Sequence, residues 1–325
     1  MRTAIVCAAI AAICALILIL GAGDQTGPNA FVVIGISQGA IYGLLAIGLV
    51  LVYKGARVFN FAQGEFGTLA AFTLYLFNRQ YGLPYWVGVI AAVVITVLIG
   101  LAMERVVVRP LLEKPRVTLL VATIAFALLA IGFEFVIFLP ELKNLEPIVH
   151  GQGITIFTYI LDPQHLIIIG VLLALAVILG FFFSRTDLGL AILGTSQDAF
   201  ATRVVGIGID RISPFIWGSA AFLGAIAGIL YVPTTNLVPG VVTLYVLIPA
   251  FTAAVLGGMT SLPGAFVGGV AVGLIQALSQ WASGHYSIGD KLLQGYLPDI
   301  PDVVLLIALL TILLARPQGL LGTEA

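Results

Sequence analysis

Charge is what this sequence has least of. Only 9% of its 325 residues are Asp, Glu, Lys or Arg, against roughly 25% in an ordinary globular chain. Fourteen basic and 15 acidic side chains cannot coat a soluble body of that size. Their near balance, a net charge of −1, leaves no basic stripe for nucleic acid. Cysteine is almost absent. Cys7 and Cys14 share one apolar run and one helix face, too far apart for a disulfide to close. The three histidines, His150, His165 and His285, sit in or beside polar connections without metal-ligand spacing, so no metal site is expected. Catalytic signatures are missing too: there is no H-E-x-x-H, no G-x-S-x-G, and no Gly-rich loop followed by Lys-Ser or Lys-Thr. Without that loop the chain does not hydrolyse ATP by that route. Any pumping draws its energy from a partner or an ion gradient, and no enzyme activity is expected of the chain itself.

What the sequence has is apolar length. Hydrophobic residues make up 61%, and the mean hydropathy is +1.16. A bilayer core of about 30 Å needs roughly 20 apolar residues per helix. Such runs lie near 4–22, 30–52, 64–78, 85–108, 117–139, 164–183, 214–232, 243–258, 262–281 and 300–315. The third and eighth are short, so either is open to being broken or partly re-entrant. The first ends near Gly21-Ala22-Gly23 and is expected to be a retained helix rather than a cleaved signal peptide. If all ten cross from a cytoplasmic N-terminus, eleven Lys and Arg fall inside and three outside, a strong positive-inside bias. Dropping a middle span would destroy that asymmetry. The expectation is an all-α polytopic membrane protein of about ten spans (eight or nine being open), forming a single domain over 1–325 with both termini cytoplasmic. The stretch 140–163 is then an external loop and 185–212 an internal segment.

Glycines fall on these runs at helical spacing. Gly35, Gly39 and Gly43 line one face, Gly264, Gly268, Gly269 and Gly273 another, and Gly224 and Gly228 a third. Small-residue ridges let helix backbones approach closely, and would also let helices slide. Polar groups are few. Asn60, Gln63 and Glu65 stand at the inner end of the third run, where they either cap a helix or serve a path or gate. Glu134 lies inside the fifth run, open to snorkelling, pairing or lining an entrance. Gln38, Tyr42 and Thr68 are further candidate lining residues.

In the internal segment Ser196 has the character of an N-cap, Asp198 suits a first turn, Arg203 a last turn and Gly206 the C′ position. That pattern predicts a helix of about nine residues, with Phe200 and Val204 as its small apolar face. It either rests on the membrane surface or docks into another protein.

The segment resembles the cytoplasmic coupling region of ABC importer permeases of the branched-chain amino acid type. Three other stretches agree: Gly39 to Tyr53 leading into Arg57-Val-Phe-Asn-Phe-Ala-Gln-Gly-Glu65, then Leu256-Gly-Gly-Met-Thr-Ser-Leu-Pro-Gly-Ala-Phe-Val-Gly-Gly269, and finally Arg316-Pro-Gln-Gly-Leu-Leu-Gly322. The resemblance covers about residues 31 to 322 and looks most like the LivH-type branch. It implies an inverted-repeat bundle of the type II importer kind in a bacterial inner membrane, and a path for branched-chain amino acids. It implies partners: a second, related permease, two ATPase subunits that bind ATP and Mg, and an external solute-binding protein. No cofactor is implied in this chain itself. It also assigns Ser196, Asp198, Phe200, Arg203 and Gly206 to coupling with the ATPase. The family usually has His and Asp at the positions of Gln63 and Glu65, and Arg at those of Leu190 and Leu193. Urea or a short amide is therefore an alternative solute on the same scaffold, and an ion-coupled secondary transporter is the alternative of a different class.

Overall fold

The computed structural model describes residues 28–138, 142–149, 154–156, 159–197, 209–285, 287–288, 291–292, 300–316 and 318–321. The first apolar run and the stretch carrying Asp198, Phe200, Arg203 and Gly206 lie outside them. Helix α1 (Pro28–Ala56) opens on proline, whose fixed φ suits a first turn. It ends where Arg57 takes φ +54° and returns its N–H to the Tyr53 carbonyl at 2.8 Å. Helix α2 (Gln63–Tyr75) runs on through a π-helical turn, Leu76–Gln80. Helix α3 (Tyr85–Met103) continues through a second π-turn, Glu104–Val108. The five-residue spacing of that turn pairs buried Glu104 with Arg109, at 3.3 Å. Helix α4 (Arg116–Phe138) precedes a two-stranded antiparallel hairpin, β1 (Ile154–Ile156) and β2 (Tyr159–Leu161). The 140–163 connection thus adds a strand pair to an otherwise helical expectation.

Helix α5 (Pro163–Arg185) is capped by Asp162, whose Oδ1 accepts the Gln164 N–H at 2.9 Å. Helix α6 (Asp187–Gln197) follows after one residue. Thr186 Oγ1 accepts the Gly189 N–H at 3.1 Å, so this helix starts at that hydroxyl and Ser196 falls in its last turn. The helix expected from Ser196 to Val205 lies, beyond Gln197, outside the described residues. Helix α7 (Ile209–Tyr231) is followed by α8 (Val241–Tyr245) and α9 (Leu247–Gly257), separated at Val246. The short eighth run is thus broken. Helix α10 (Leu262–His285), a small hairpin of β3 (Ser287–Ile288) and β4 (Lys291–Leu292), and α11 (Ile300–Ala315) complete the described chain.

Among the described residues six helical stretches are long and apolar enough to cross a membrane: 30–56, 85–111, 116–138, 163–185, 212–234 and 262–285. Helices α9 and α11 are apolar but shorter, and α2 has 13 residues. The burial of these stretches sorts them by role. In the spans of α1 and α7, 67% and 72% of the central window is buried, against 22% and 17% in α4 and α5. Outward side chains such as Ile90, Leu98, Val136 and Val177 are apolar and exposed, as lipid-facing positions must be.

The chain separates into two compact units. In the unit comprising 1–43, 149–173 and 249–324, α1 lies against α10 through glycine. A side chain at Gly39 would run into the backbone of Gly269 and Val270 at 2.7 Å, and one at Gly35 into the Gly273 carbonyl at 3.0 Å. The four glycines of α10 do not form one face. Gly269 and Gly273 meet α1, whereas Gly264 and Gly268 meet Gly257 and Ala253 on α9, because adjacent positions point about 100° apart on a helix. The Leu320 and Leu321 N–H groups donate to the Leu256 and Gly257 carbonyls at 2.8 and 3.2 Å. The 316–322 motif thereby caps α9, a helix end that would otherwise leave carbonyls unpaired.

In the other unit, comprising 44–148 and 174–248, α2 is the axis. Ten of its 13 residues are buried, and Gly67 abuts the backbone of α7 at Gly224 and Gly228. Gly228→Val would drive a branched side chain into the Gly67 backbone, which cannot yield as a flexible side chain would. We expect a loss of about 3 kcal/mol, the upper end of overpacking costs, read as a lower melting temperature of the purified protein. Gly132→Ala meets nothing within 4 Å and should leave melting unchanged.

Candidate functional site

The turn Arg57–Ala62 delivers polar residues to the start of α2. Asn60 Oδ1 accepts the Ala62 N–H at 3.0 Å, and Asn60 Nδ2 donates to Gln63 Oε1 at 3.3 Å. Thr123 Oγ1 on α4 accepts the Phe61 N–H at 3.3 Å. Asn60 therefore closes a local turn just ahead of α2, whose N-cap residue Ala62 is met by no side-chain cap. Gln63 is fully buried and reaches across to α7, where Nε2 donates to the Ala220 carbonyl at 2.9 Å. Room for this amide comes from two glycines, since a Cβ at Gly48 or Gly224 would collide with it.

One turn further along α2 stand Glu65 and Thr68, both fully buried. Thr68 Oγ1 accepts the Val242 N–H at 3.2 Å, which satisfies an orphan donor in the first turn of α8. Glu134 comes from α4 and is 1% exposed. Its Oε2 accepts the Gly240 N–H at 2.8 Å. Gly240 has φ +70°, a left-handed conformation that glycine adopts without strain, and this presents its N–H to the carboxylate. Glu134 thus neither snorkels nor stays alone: it pairs with a backbone turn inside the bundle.

Glu65 neighbours both Glu134 and Thr243. Neither Glu65 oxygen accepts a hydrogen bond, and Glu134 Oε1 and Thr243 Oγ1 are also unmatched. Two acidic side chains thus neighbour each other in the buried interior, where unpaired charge is costly. The described ion pairs lie elsewhere, Arg79 with Glu146 and Arg109 with Glu104.

The structure gathers Asn60, Gln63, Glu65, Thr68 and Glu134 within one unit. Gln38, half-buried, and Tyr42, buried, lie on the part of α1 that belongs to the other unit. That unit has its own polar contact, in which Ser37 Oγ and His165 Nδ1 are 2.8 Å apart while Ser37 also donates to the Ile34 carbonyl at 2.9 Å. Sequence reasoning missed Gly240, Thr243, Thr123 and the Ser37–His165 contact. The dipeptide Pro239-Gly240 is a readable turn signal, but nothing in it points to Glu134. Of the coupling residues only Ser196 is described, at the end of α6. Among the described residues no three His, Cys, Asp or Glu gather as a metal site.

Residues 31–315 match the family described as branched-chain amino acid transport system / permease component. The chain is 30% identical over 302 residues to the high-affinity branched-chain amino acid transport system permease protein LivH of Escherichia coli K12, covering 89% of this chain and 93% of that one. To the corresponding permease BraD of Pseudomonas aeruginosa it is 28% identical, covering 89% and 94%. To a probable LivH of Methanocaldococcus jannaschii it is 24% identical, covering 86% and 88%. A solved chain titled PsaBC from Streptococcus pneumoniae in complex with Fab superposes at a TM-score of 0.45 and 15% identity over 90% of this chain, a likeness that carries no argument.

Two buried threonines separate hydrogen-bonded from idle hydroxyls. Thr68→Val strands the Val242 N–H and should cost about 1–3 kcal/mol. Thr96 is equally buried, but its hydroxyl has no partner, so Thr96→Val should be neutral or stabilising. Melting temperatures of the two variants check both expectations.

Proposed function

We propose that this chain, which belongs to the branched-chain amino acid transport system permease family, is the subunit that forms the translocation path of an ATP-driven importer for branched-chain or similar small amino acids. The observation that carries the reading is the family match from residue 31 to 315, which covers the six candidate spans among the described residues but for Ala30. On this reading the chain sits in a bacterial inner membrane with both termini cytoplasmic. An external binding protein delivers the solute, a second related permease completes the path, and two ATPase subunits hold ATP and Mg.

This chain contributes no nucleotide chemistry, having no phosphate-binding loop in its sequence. Its task is to convert closure of the ATPases into movement of helices. The segment 185–212 is the contact for that purpose, with Ser196, Asp198, Phe200, Arg203 and Gly206 facing the ATPase. Helix α6 lies within the segment and α7 begins in it, and the two carry the motion inward. Gln38, Tyr42, Asn60, Gln63, Glu65, Thr68 and Glu134 are the candidate path or gate residues. Few of the chain's cations stand inside spans, which disfavours phosphorylated solutes.

Reconstitution of the chain with its ATPase and second permease in liposomes, with binding protein supplied outside, tests this. Leucine should accumulate only with ATP in the ATPase compartment, and excess valine but not urea should suppress its uptake. Accumulation driven by a proton or sodium gradient without any ATPase would instead make the chain a secondary carrier. Suppression by urea alone would remove the branched-chain assignment.

A further inference from the structure

Within the unit 44–148 and 174–248 a cleft opens where three candidate spans terminate. The end of α1 contributes Gly55 and Ala56, the turn that closes the α3 extension contributes Leu112, and the start of α7 contributes Ile212, Ser213 and Ile216. Gly55 sets the approach of α1 to α7, since a Cβ there would collide with the Ile216 side chain. Leu112 is exposed while Ile212 and Ile216 are buried, so the cleft runs from the surface into the bundle. Its walls are apolar apart from the Ser213 hydroxyl.

Cations stand beside every wall. Lys54 and Arg57 flank the Gly55-Ala56 pair, Arg109 lies one turn before Leu112, Lys114 follows it, and Arg211 precedes Ile212. Over 54–57, 104–116 and 210–213 seven Lys and Arg stand against three acids. One of those acids, Glu104, is buried and already bound to Arg109. Half-buried Lys54 has no acidic partner among the described residues. An inorganic anion would use these cations but not the apolar walls, and a neutral lipid would use the walls but not the cations. An anionic phospholipid uses both, its phosphate meeting the charge and its methylenes the walls. The depth agrees, because three span ends at Ala56, Leu111 and Ile212 mark the level where headgroups meet hydrocarbon.

We propose that this cleft binds one anionic phospholipid, its phosphate held by Lys54 and Arg57 and one acyl chain lying along Leu112, Ile212 and Ile216. The Ser213 hydroxyl supplies a neutral donor to a phosphate or ester oxygen. The lipid ties the end of α1 to the start of α7. The inference goes beyond the importer reading and takes from it only the assignment of this end to the cytoplasmic leaflet.

Native mass spectrometry of the full-length chain, titrated in detergent with dioleoyl phosphatidylglycerol or dioleoyl phosphatidylcholine, tests this. One phosphatidylglycerol per chain should be retained where phosphatidylcholine is lost. Lys54→Gln combined with Arg57→Gln should weaken that retention about thirtyfold, the weight of two cations beside a headgroup. Ala56→Leu fills the cleft without changing charge and should weaken it too. Arg79→Gln, which removes a cation paired elsewhere with Glu146, should leave it unchanged. Should the variants not fold, a photoactivatable phosphatidylglycerol in nanodiscs reads the native chain, with label expected on 54–57, 109–113 and 211–217. Equal retention of the two lipids, or label spread evenly over the lipid-facing helices, overturns the proposal. So does full competition by inorganic phosphate, which would make this a plain anion site. Unchanged retention in Ala56→Leu would reduce it to surface charge and overturn it equally. None of these readouts measures uptake, so failure here and failure of the importer reading are separately visible.

Discussion

The contact on which the rest of this structure depends is the approach of two backbones at Gly67 and Gly228. In lipid, helices gain nothing from hiding apolar side chains from one another, so association rests on close packing and hydrogen bonds. A glycine on each side lets α2 and α7 touch backbone to backbone. From that closeness follow the Gln63 reach to the Ala220 carbonyl and the support of Val242 by Thr68. Move α2 outward by the width of one methyl group and both hydrogen bonds open. The same device recurs in the other unit, where Gly39 and Gly269 hold α1 on α10.

This economy of small residues explains how so short a helix can be so central. Helix α2 has 13 residues, too few to span a bilayer, yet five of its ten buried residues are glycine, alanine or threonine, which let neighbours come close. Its polar groups then need partners inside the protein, because lipid offers none. Broken segments provide them. The turn at Gly240 gives Glu134 a backbone N–H, and the first turn of α8 gives Thr68 another. Irregular backbone at membrane depth is tolerable only where protein encloses it, and here it is enclosed. A permease that must change shape is better served by such satisfied but interrupted elements than by unbroken rods, since interruptions are where helices re-aim.

Much of this was legible in the sequence. Apolar length located the six long spans, and the brevity of the run at 243–258 left open the break found at Val246. The glycine ridge 35, 39 and 43 does pack against a partner helix. The ridge on α10 misled, because helical spacing alone does not say that Gly268 and Gly269 serve different neighbours. Helix α6 itself was not read from the sequence, although Thr186-Asp187 is a recognisable start signal. The meeting of Glu65 with Glu134 was invisible. It joins residues far apart in the chain through a third element, and no periodicity encodes which helices become neighbours. The hydrogen bonds of Asn60, by contrast, are local and close a turn within reach of sequence reading.

The measurement that bears most directly on the account is amide hydrogen exchange along α2 in a lipid nanodisc. A helix that is the buried axis of its unit should exchange as slowly over residues 63–75 as the long spans do, although 13 residues are too few to cross a bilayer. Rapid exchange over 63–75, with protection confined to the longer helices, would show a peripheral or re-entrant segment and contradict the packing on which the contacts of Gln63 and Thr68 rely.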